Sequence, residues 1–562
     1  MPTPAERLIG PGSPFSLALS NGSSQRYFRH APLTLPVLLE RPRRSGARIF
    51  TSLRDAQASL AVIAEESDLL SAALVTAHGV ARGCRVAVMA SDSPAWIAAV
   101  FAIWRSGGVA VILSPDIGPE TVIQILDAVC CPLLITTRSL SLQLRAYRDC
   151  RVHISVCNNL NWQKGPYFES GITRSRSELP RGAFSPALDP DEDAIIAFTS
   201  GSTGLPKGVI STHRAVISGV FNTLLSAALS GLRRNAPRIS STSVPASPCS
   251  LLRTPFSHVG GYSHLLLMLH IVGKVIPYRS DLPETLSVIS QERVTLLSGA
   301  EPEILSDLIN APIADDNLFS LQSITTYGAS LSTQAIQALH SRFPAIRVGA
   351  GYGLTETNGS VSSASGQDLL ERPGTCGSVS PAIDICIRDD SGKAAQNGSF
   401  GGIWIRGPTL MRDYIRLDRS TPIEPFSGGW FYTGDVGRLD ADGFLYVQGR
   451  RQDVLWNAGT LVSCRRLEEL VHNSSPNNDV TAVLIQAACG QPHLLVAIAH
   501  PLTPSMRTAL TETLNQASGL PPSRIALFVL DPIPRLHSGK PDRKALVKMA
   551  GFDGSVHVTD PL

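Results

Sequence analysis

An apolar run, Ala194 to Phe198, opens directly onto a polar, glycine-rich segment, Thr199 to Gly208, within the text DAIIAFTSGSTGLPKGVISTHRAVISGV. Few folds accommodate such a junction. The run is short and turn-bounded, which predicts a buried strand. In the segment that follows, Gly201, Gly204 and Gly208 let the backbone turn its amides inward. Thr199, Ser200, Ser202 and Thr203 add hydroxyl donors and Lys207 adds a full positive charge, so the loop suits a polyphosphate. Ala215 to Leu229 then reads as an amphipathic helix.

The same succession recurs upstream. Arg85 to Met89 predicts a buried strand, Ser91 to Ser93 a helix cap, and Val109 to Leu113 a second strand. A similar rhythm returns over Val122 to Thr137. Strand, helix, strand units of this kind build parallel sheets and put the chain in the α/β class. Further strands are expected at Thr295 to Ser298 and Ser323 to Thr326. Residues 1 to about 45 read as an irregular surface arm, 158 to 190 as a linker, and Arg233 to Ser250 as a surface loop without an assigned role. With 562 residues, 43% of them hydrophobic, the chain suits two or more domains.

A formal net charge of +3 argues against nucleic acid as a partner. No apolar run reaches the length of about 18 residues that a membrane span needs. The ten cysteines form no CxxC pair and no metal-like cluster, which predicts a reduced, intracellular protein. No secretory leader or peroxisomal ending is evident, so a cytoplasmic location is expected.

A P-loop of the ordinary NTPase kind needs Lys followed by Ser or Thr, whereas Lys207 lies between Pro206 and Gly208. The string FTSGSTGLPKG instead resembles the signature of the AMP-forming adenylating enzymes: acyl- and aryl-CoA synthetases, adenylation domains of peptide synthetases, and luciferases. Later motifs follow in that family's order. YGASLS is similar to its adenine-contacting turn, Gly328, Ala329 and Ser330. In GAGYGLTET the resemblance implies that Tyr352, followed by Gly353, stacks on adenine, that Thr355 bonds the α-phosphate, and that Glu356 ligates magnesium. A hard cation that keeps most of its shell for phosphates and water wants only one or two such carboxylates. Asp435, in YTGD, matches the carboxylate that takes the ribose hydroxyls, and Arg450 the arginine that also reaches the ribose. The Asp440, Asp442, Gly443 turn lacks calcium-loop spacing and reads as a hairpin.

TPFSHVGGYSH resembles the family's substrate-pocket segment, which makes Phe256, His258, Gly260 and Gly261, with Gly351, candidates to line the acid site. Taken alone, His258 can also be read as a core histidine, the lesser alternative, since His264 and His270 lie close by. Amino-acid-activating relatives carry an aspartate where this chain has Ser257. An unpaired buried ammonium costs about 3–5 kcal/mol, which disfavours an α-amino acid substrate.

Near the C-terminus, Lys540 in HSGKPD matches the lysine that enters the site for adenylate formation, although Ser-Gly-Lys-Pro by itself reads as a solvated turn. Lys540, Thr203 and Glu356 are therefore the candidate catalytic residues. The resemblance implies a large N-terminal domain of stacked α/β subdomains with a β-rich subdomain, residues 1–449. A small mobile α+β domain, residues 450–562, would follow, with Gln452 as hinge and Gly459 at the acceptor tunnel. ATP, Mg2+ and a small carboxylic acid are the implied ligands. CoA or the phosphopantetheine of an acyl-carrier or peptidyl-carrier protein is the implied acceptor. Trp456, Cys464 and Arg466 stand where the family usually has Lys, Pro and Glu; the departures leave transfer to an amine or another non-thiol open.

Overall fold

The computed structural model describes residues 15–20, 23–40, 48–52, 56–137, 140, 153–157, 187–199, 206–232, 248–313, 318–326, 331–417, 426–457, 460–474, 480–486, 492–535 and 541–550. Backbone contacts sort the chain into two compact units, Met1–Asp384 with Arg406–Gly429, and Ile385–Ile405 with Trp430–Leu562.

The first unit contains a mixed sheet ordered Asp413–Arg416, Lys207–Thr212, Asp193–Thr199, Val109–Ile112, Arg85–Met89, Leu133–Thr137, His153–Cys157. From Asp193–Thr199 onward the neighbours run parallel. Alternate residues enter different cores: Val86, Val88, Ala110 and Ile112 face one, while Ala87, Met89, Val109 and Val111 face the other. Covering both faces is why these strands read as continuous apolar runs rather than alternating ones. The expected strand, helix, strand unit is present: helix Pro94–Arg105 begins at Ser93, whose side chain accepts from the Trp96 amide. That helix is buried almost all round, and its Trp104 indole donates to the Ala194 carbonyl at 2.8 Å. The strand that precedes the glycine-rich loop is thereby held from beneath.

A second sheet in this unit orders Gly377–Val379, Gly359–Ser365, Arg347–Leu354, Ser323–Thr325, Leu296–Ser298, Cys249–Leu252, Lys274–Pro277, Arg48–Ser52 and Ala56–Ser59. The N-terminal region departs from the irregular arm expected: Phe15–Ser20 and Ser23–Phe28 pair as an antiparallel hairpin. Its aromatics account for this, because Phe28 packs on Phe15 and Phe221 with centroids 5.0 and 5.7 Å apart. Most of the expected linker, residues 158–186, and of the expected loop, 233–247, falls outside the described residues.

The second unit carries the strands Asp384–Arg388, Gly401–Arg406, Trp430–Leu439 and Phe444–Arg450 in that order. Its Asp440 turn is the expected hairpin, with Asp440 Oδ1 accepting from the amides of Asp442 and Phe444. A two-stranded ribbon, Val454–Asn457 with Thr460–Ser463, leads into helix Cys464–Ser474. A three-stranded sheet, Val480–Gln486, Pro492–Ile498 and Ile525–Val529, packs with helix Pro504–Ser518 around one apolar core. The whole is the expected α/β class. Among the described residues no helix is long and apolar enough to cross a membrane.

Candidate adenylation site

Strands Asp193–Thr199 and Lys207–Thr212, which flank the glycine-rich segment, run antiparallel with Thr199 opposite Lys207. Sequence reading placed Lys207 and Gly208 in the loop; both begin a strand instead. The reason is steric. A Cβ on Gly208 would lie 2.9 Å from the Phe198 ring across the ladder, so the missing side chain lets the two strands pair closely. Ser200, Gly201, Ser202, Thr203 and Gly204 lie outside the described residues, as do Gly328, Ala329 and Ser330.

Tyr352 and Gly353 lie on strand Arg347–Leu354, and Thr355 and Glu356 on the 3-10 turn Thr355–Thr357 that ends it. That turn is clamped from several sides. Thr357 Oγ1 accepts from the Leu354 amide at 2.9 Å. Asn358, buried and left-handed at φ 51°, donates from Nδ2 to the Thr409 carbonyl at 2.9 Å and accepts at its own carbonyl from Ser263 Oγ at 3.2 Å. The Met411 amide donates to the Glu356 carbonyl at 2.8 Å. Glu356 is thus presented on a rigid corner.

Its side chain meets a residue that sequence reading missed. The Tyr414 hydroxyl donates to Glu356 Oε1 at 2.7 Å, and the Lys207 ammonium lies 5.8 Å from the centroid of the same Tyr414 ring. Lys207 and Glu356 therefore meet at one tyrosine. No spacing in the sequence connects Tyr414 to either, because strand Asp413–Arg416 reaches them only by adding to the edge of Lys207–Thr212. Among the described residues no three His, Cys, Asp or Glu side chains gather as a metal cage. A single hard-oxygen ligand such as Glu356 fits magnesium, which takes one or two carboxylates and leaves the rest of its shell to phosphates and water.

The acid-site candidates separate by burial. Phe256 is fully buried against Trp96, with ring centroids 5.2 Å apart, so its side chain is a foundation and not a wall. His258 is exposed and precedes helix Val259–His270. The core-histidine reading belongs to His264 instead, which is buried with Nε2 2.7 Å from Ser250 Oγ and has its pKa pushed down to about 4 by burial. Gly260 is half-buried, Gly261 buried and Gly351 exposed; a Cβ on Gly351 would stand 2.7 Å from the Ser362 carbonyl oxygen.

The same segment depends on Asp92, read from sequence only as part of a cap. Asp92 Oδ1 accepts from the Phe256 amide at 2.9 Å. Burial raises its pKa from 3.8 to about 6, against lowering by that hydrogen bond and by Arg279. The folded state therefore holds the proton more tightly than the unfolded one. Stability falls as pH rises from about 4 to about 6 and is level above that. Asp92→Asn keeps an oxygen acceptor for Phe256 and removes the charge. It is expected to be more stable than the parent at pH 7 by about 1–2 kcal/mol, with the gain gone near pH 4; denaturant titrations at both pH values measure this.

In the second unit, Asp435 and Arg450 are register neighbours on adjacent strands, with Arg450 Nε 3.2 Å from Asp435 Oδ1. Arg450 Nη1 also donates to the Thr433 carbonyl at 2.9 Å, and Thr433 Oγ1 accepts from the Asp435 amide at 3.1 Å. The two expected ribose groups are thus built as one pair. Gln452 sits in the 3-10 turn Arg451–Asp453. Of the three departures noted near it, Trp456 (42% exposed) and Arg466 are exposed, whereas Cys464 is buried at 1% in the core of this unit. Cys464 is consequently a packing residue. Gly459 and Lys540 lie outside the described residues.

Comparison with known proteins follows the same lines. The family model described as AMP-binding enzyme matches residues 40–415. The chain is 30% identical to a probable CoA ligase, CCL5, of Humulus lupulus over 67% of this chain and 68% of that protein. It is 29% identical to 4-coumarate–CoA ligase-like 4 of Oryza sativa subsp. japonica over 85% and 86%. Its fold is similar to the ATP-bound structure of MatB from Rhodopseudomonas palustris, with TM-score 0.76 at 19% identity over 93% of this chain and 99% of that one. The matched family and these relatives lead to one conclusion: the chain belongs to the AMP-binding enzyme family, and is an acid-activating ligase of the AMP-forming adenylating class.

Proposed function

We propose that the protein joins a carboxylic acid to CoA in two steps. The acid's carboxylate oxygen attacks the α-phosphorus of ATP, the bond to the β-phosphate breaks, and pyrophosphate leaves an acyl adenylate. The thiolate of CoA then attacks the acyl carbon and AMP departs. The observation that carries this reading is the meeting of Lys207 and Glu356 at Tyr414, a cation for phosphate oxygens beside a carboxylate for their metal.

The remaining roles rest on the motif resemblance. The glycine-rich segment with Thr203 holds the phosphates, Tyr352 and the turn Gly328 to Ser330 hold adenine, and Thr355 holds the α-phosphate. Asp435 and Arg450 take the ribose, and Lys540 offsets the charge that builds on the reacting phosphate. Magnesium, held by Glu356, neutralises phosphate oxygens when bound. Residues 1–449 and 450–562 act as the catalytic body and the lid, with Gln452 as pivot and Gly459 beside the acceptor path.

Ser257 supports an acid without an α-ammonium, and the rice relative's name points to aryl acids. Exposed Trp456 and Arg466 favour one alternative, transfer of the acyl group to an amine or another non-thiol. Ten scattered cysteines without a CxxC pair fit a reducing location such as the cytoplasm. A pyrophosphate-release screen over aryl, fatty and short dicarboxylic acids, with and without CoA, tests the reading. Acid-dependent release that yields an acyl-CoA supports it. Release without thioester, even with a carrier protein supplied, selects the alternative, and no release with any acid removes both.

A further inference from the structure

We infer that Tyr414 is a positioning residue for metal-nucleotide binding, orienting the Glu356 carboxylate through its hydroxyl while its ring seats Lys207. The inference rests on the reading of Glu356 as the magnesium ligand. Tyr414 is held at two levels. Its strand pairs with Lys207–Thr212 in a register that sets Tyr414 opposite Val209, which leaves Lys207 diagonally across the ladder, within reach of a long side chain. The preceding residues fix the other end: the Met411 amide donates to the Glu356 carbonyl and the Arg412 amide to the Ile210 carbonyl at 2.7 Å. The segment 411–414 therefore grips both the backbone and the side chain of Glu356 and is registered against the strand that Lys207 begins.

Each half of Tyr414 has a separate chemical consequence. A phenol hydrogen bond to a carboxylate is charge-assisted; here it takes Oε1 and fixes the plane in which the other oxygen is offered to a cation. Partners of this kind behind a metal ligand typically affect metal affinity by about 10–100-fold. The ring gives the Lys207 ammonium a weakly attractive face, which helps orient the cation at the start of its strand.

These two contributions separate experimentally. Manganese serves as a paramagnetic probe, titrated into the full-length protein with α,β-methylene-ATP and read by EPR, and the same nucleotide is titrated without metal by calorimetry. Tyr414→Phe is expected to weaken manganese binding about tenfold and to leave metal-free nucleotide affinity within about twofold, since the ring is kept. Tyr414→Leu is expected to lose several-fold in metal-free nucleotide affinity as well. Retained metal-free binding in Tyr414→Phe also shows that the variant is folded. If Tyr414→Phe binds manganese like the parent while Glu356→Gln binds it weakly, the role of Tyr414 is wrong and the reading of Glu356 stands. If Glu356→Gln is also unchanged, both fail.

Discussion

Lys540→Ala is expected to lower acid-dependent ATP–pyrophosphate exchange by several hundred-fold. The step brings a carboxylate against the α-phosphate of an anionic triphosphate, so much of its barrier is repulsion and developing negative charge. A unit charge at about 4 Å contributes roughly 4 kcal/mol at an effective dielectric of about 20, and about 1.4 kcal/mol corresponds to a tenfold change in rate. The loss belongs in the rate of exchange and not in ATP affinity, because the nucleotide has Lys207, Asp435 and Arg450 as other charged partners in the proposed site. Exchange assays at saturating ATP, with calorimetric ATP binding alongside, measure both. An exchange rate within tenfold of the parent would remove Lys540 from the chemical step. Thioester formation from preformed acyl adenylate should change far less, which would separate the two half-reactions.

The second large effect concerns the frame of the proposed acid site. Gly261→Ala puts a methyl group into the Pro255 carbonyl oxygen and 2.9 Å from the Thr254 carbonyl oxygen. Both obstacles are backbone, so no rotamer change relieves them, and the whole Thr254–His258 crossing must move off helix Val259–His270. Ordinary overpacking costs about 1–3 kcal/mol; with two carbonyls in the way we expect about 3 kcal/mol or more. That outweighs the gain of about 1 kcal/mol that alanine brings over glycine inside a helix. Gly118→Ala is the control, because a Cβ there meets nothing within 4 Å, and its midpoint of thermal unfolding should shift little. A Gly261→Ala protein that unfolds at the parent's temperature would contradict the close crossing. Where the variant folds, KM for the acid should rise more than kcat falls, since Phe256 and His258 are carried by the displaced crossing.

How much of this was legible without coordinates depends on the range of the interaction. Arg85 to Met89, the Ser93 cap and, to within one residue, Val109 to Leu113 follow from local pattern alone, because periodicity and capping act within a few residues. The hairpin after Asp440 is equally local. Lys207 shows where local reasoning stops: glycine, proline and hydroxyl content announced a loop, but the ladder to Thr199 and the space above Phe198 decided that the strand begins there. Among the histidines, residue type could not tell His258 from His264; burial against Ser250 did. Cys464 and Trp456 stood as equal departures until packing put one in a core and the other at the surface.

The amino-acid sequence on its own therefore determined the class of the fold and the order of the motifs, and its resemblance to the family implied the kind of group each would bind. Those properties reside in short segments whose side-chain chemistry is carried wherever the segment goes. Only the tertiary structure decided that Tyr414 stands with Lys207 and Glu356, and that Asp92 holds the Phe256 amide. Such contacts join segments far apart in the chain. They depend on strand register and buried hydrogen-bond demand, which no local window of residues encodes.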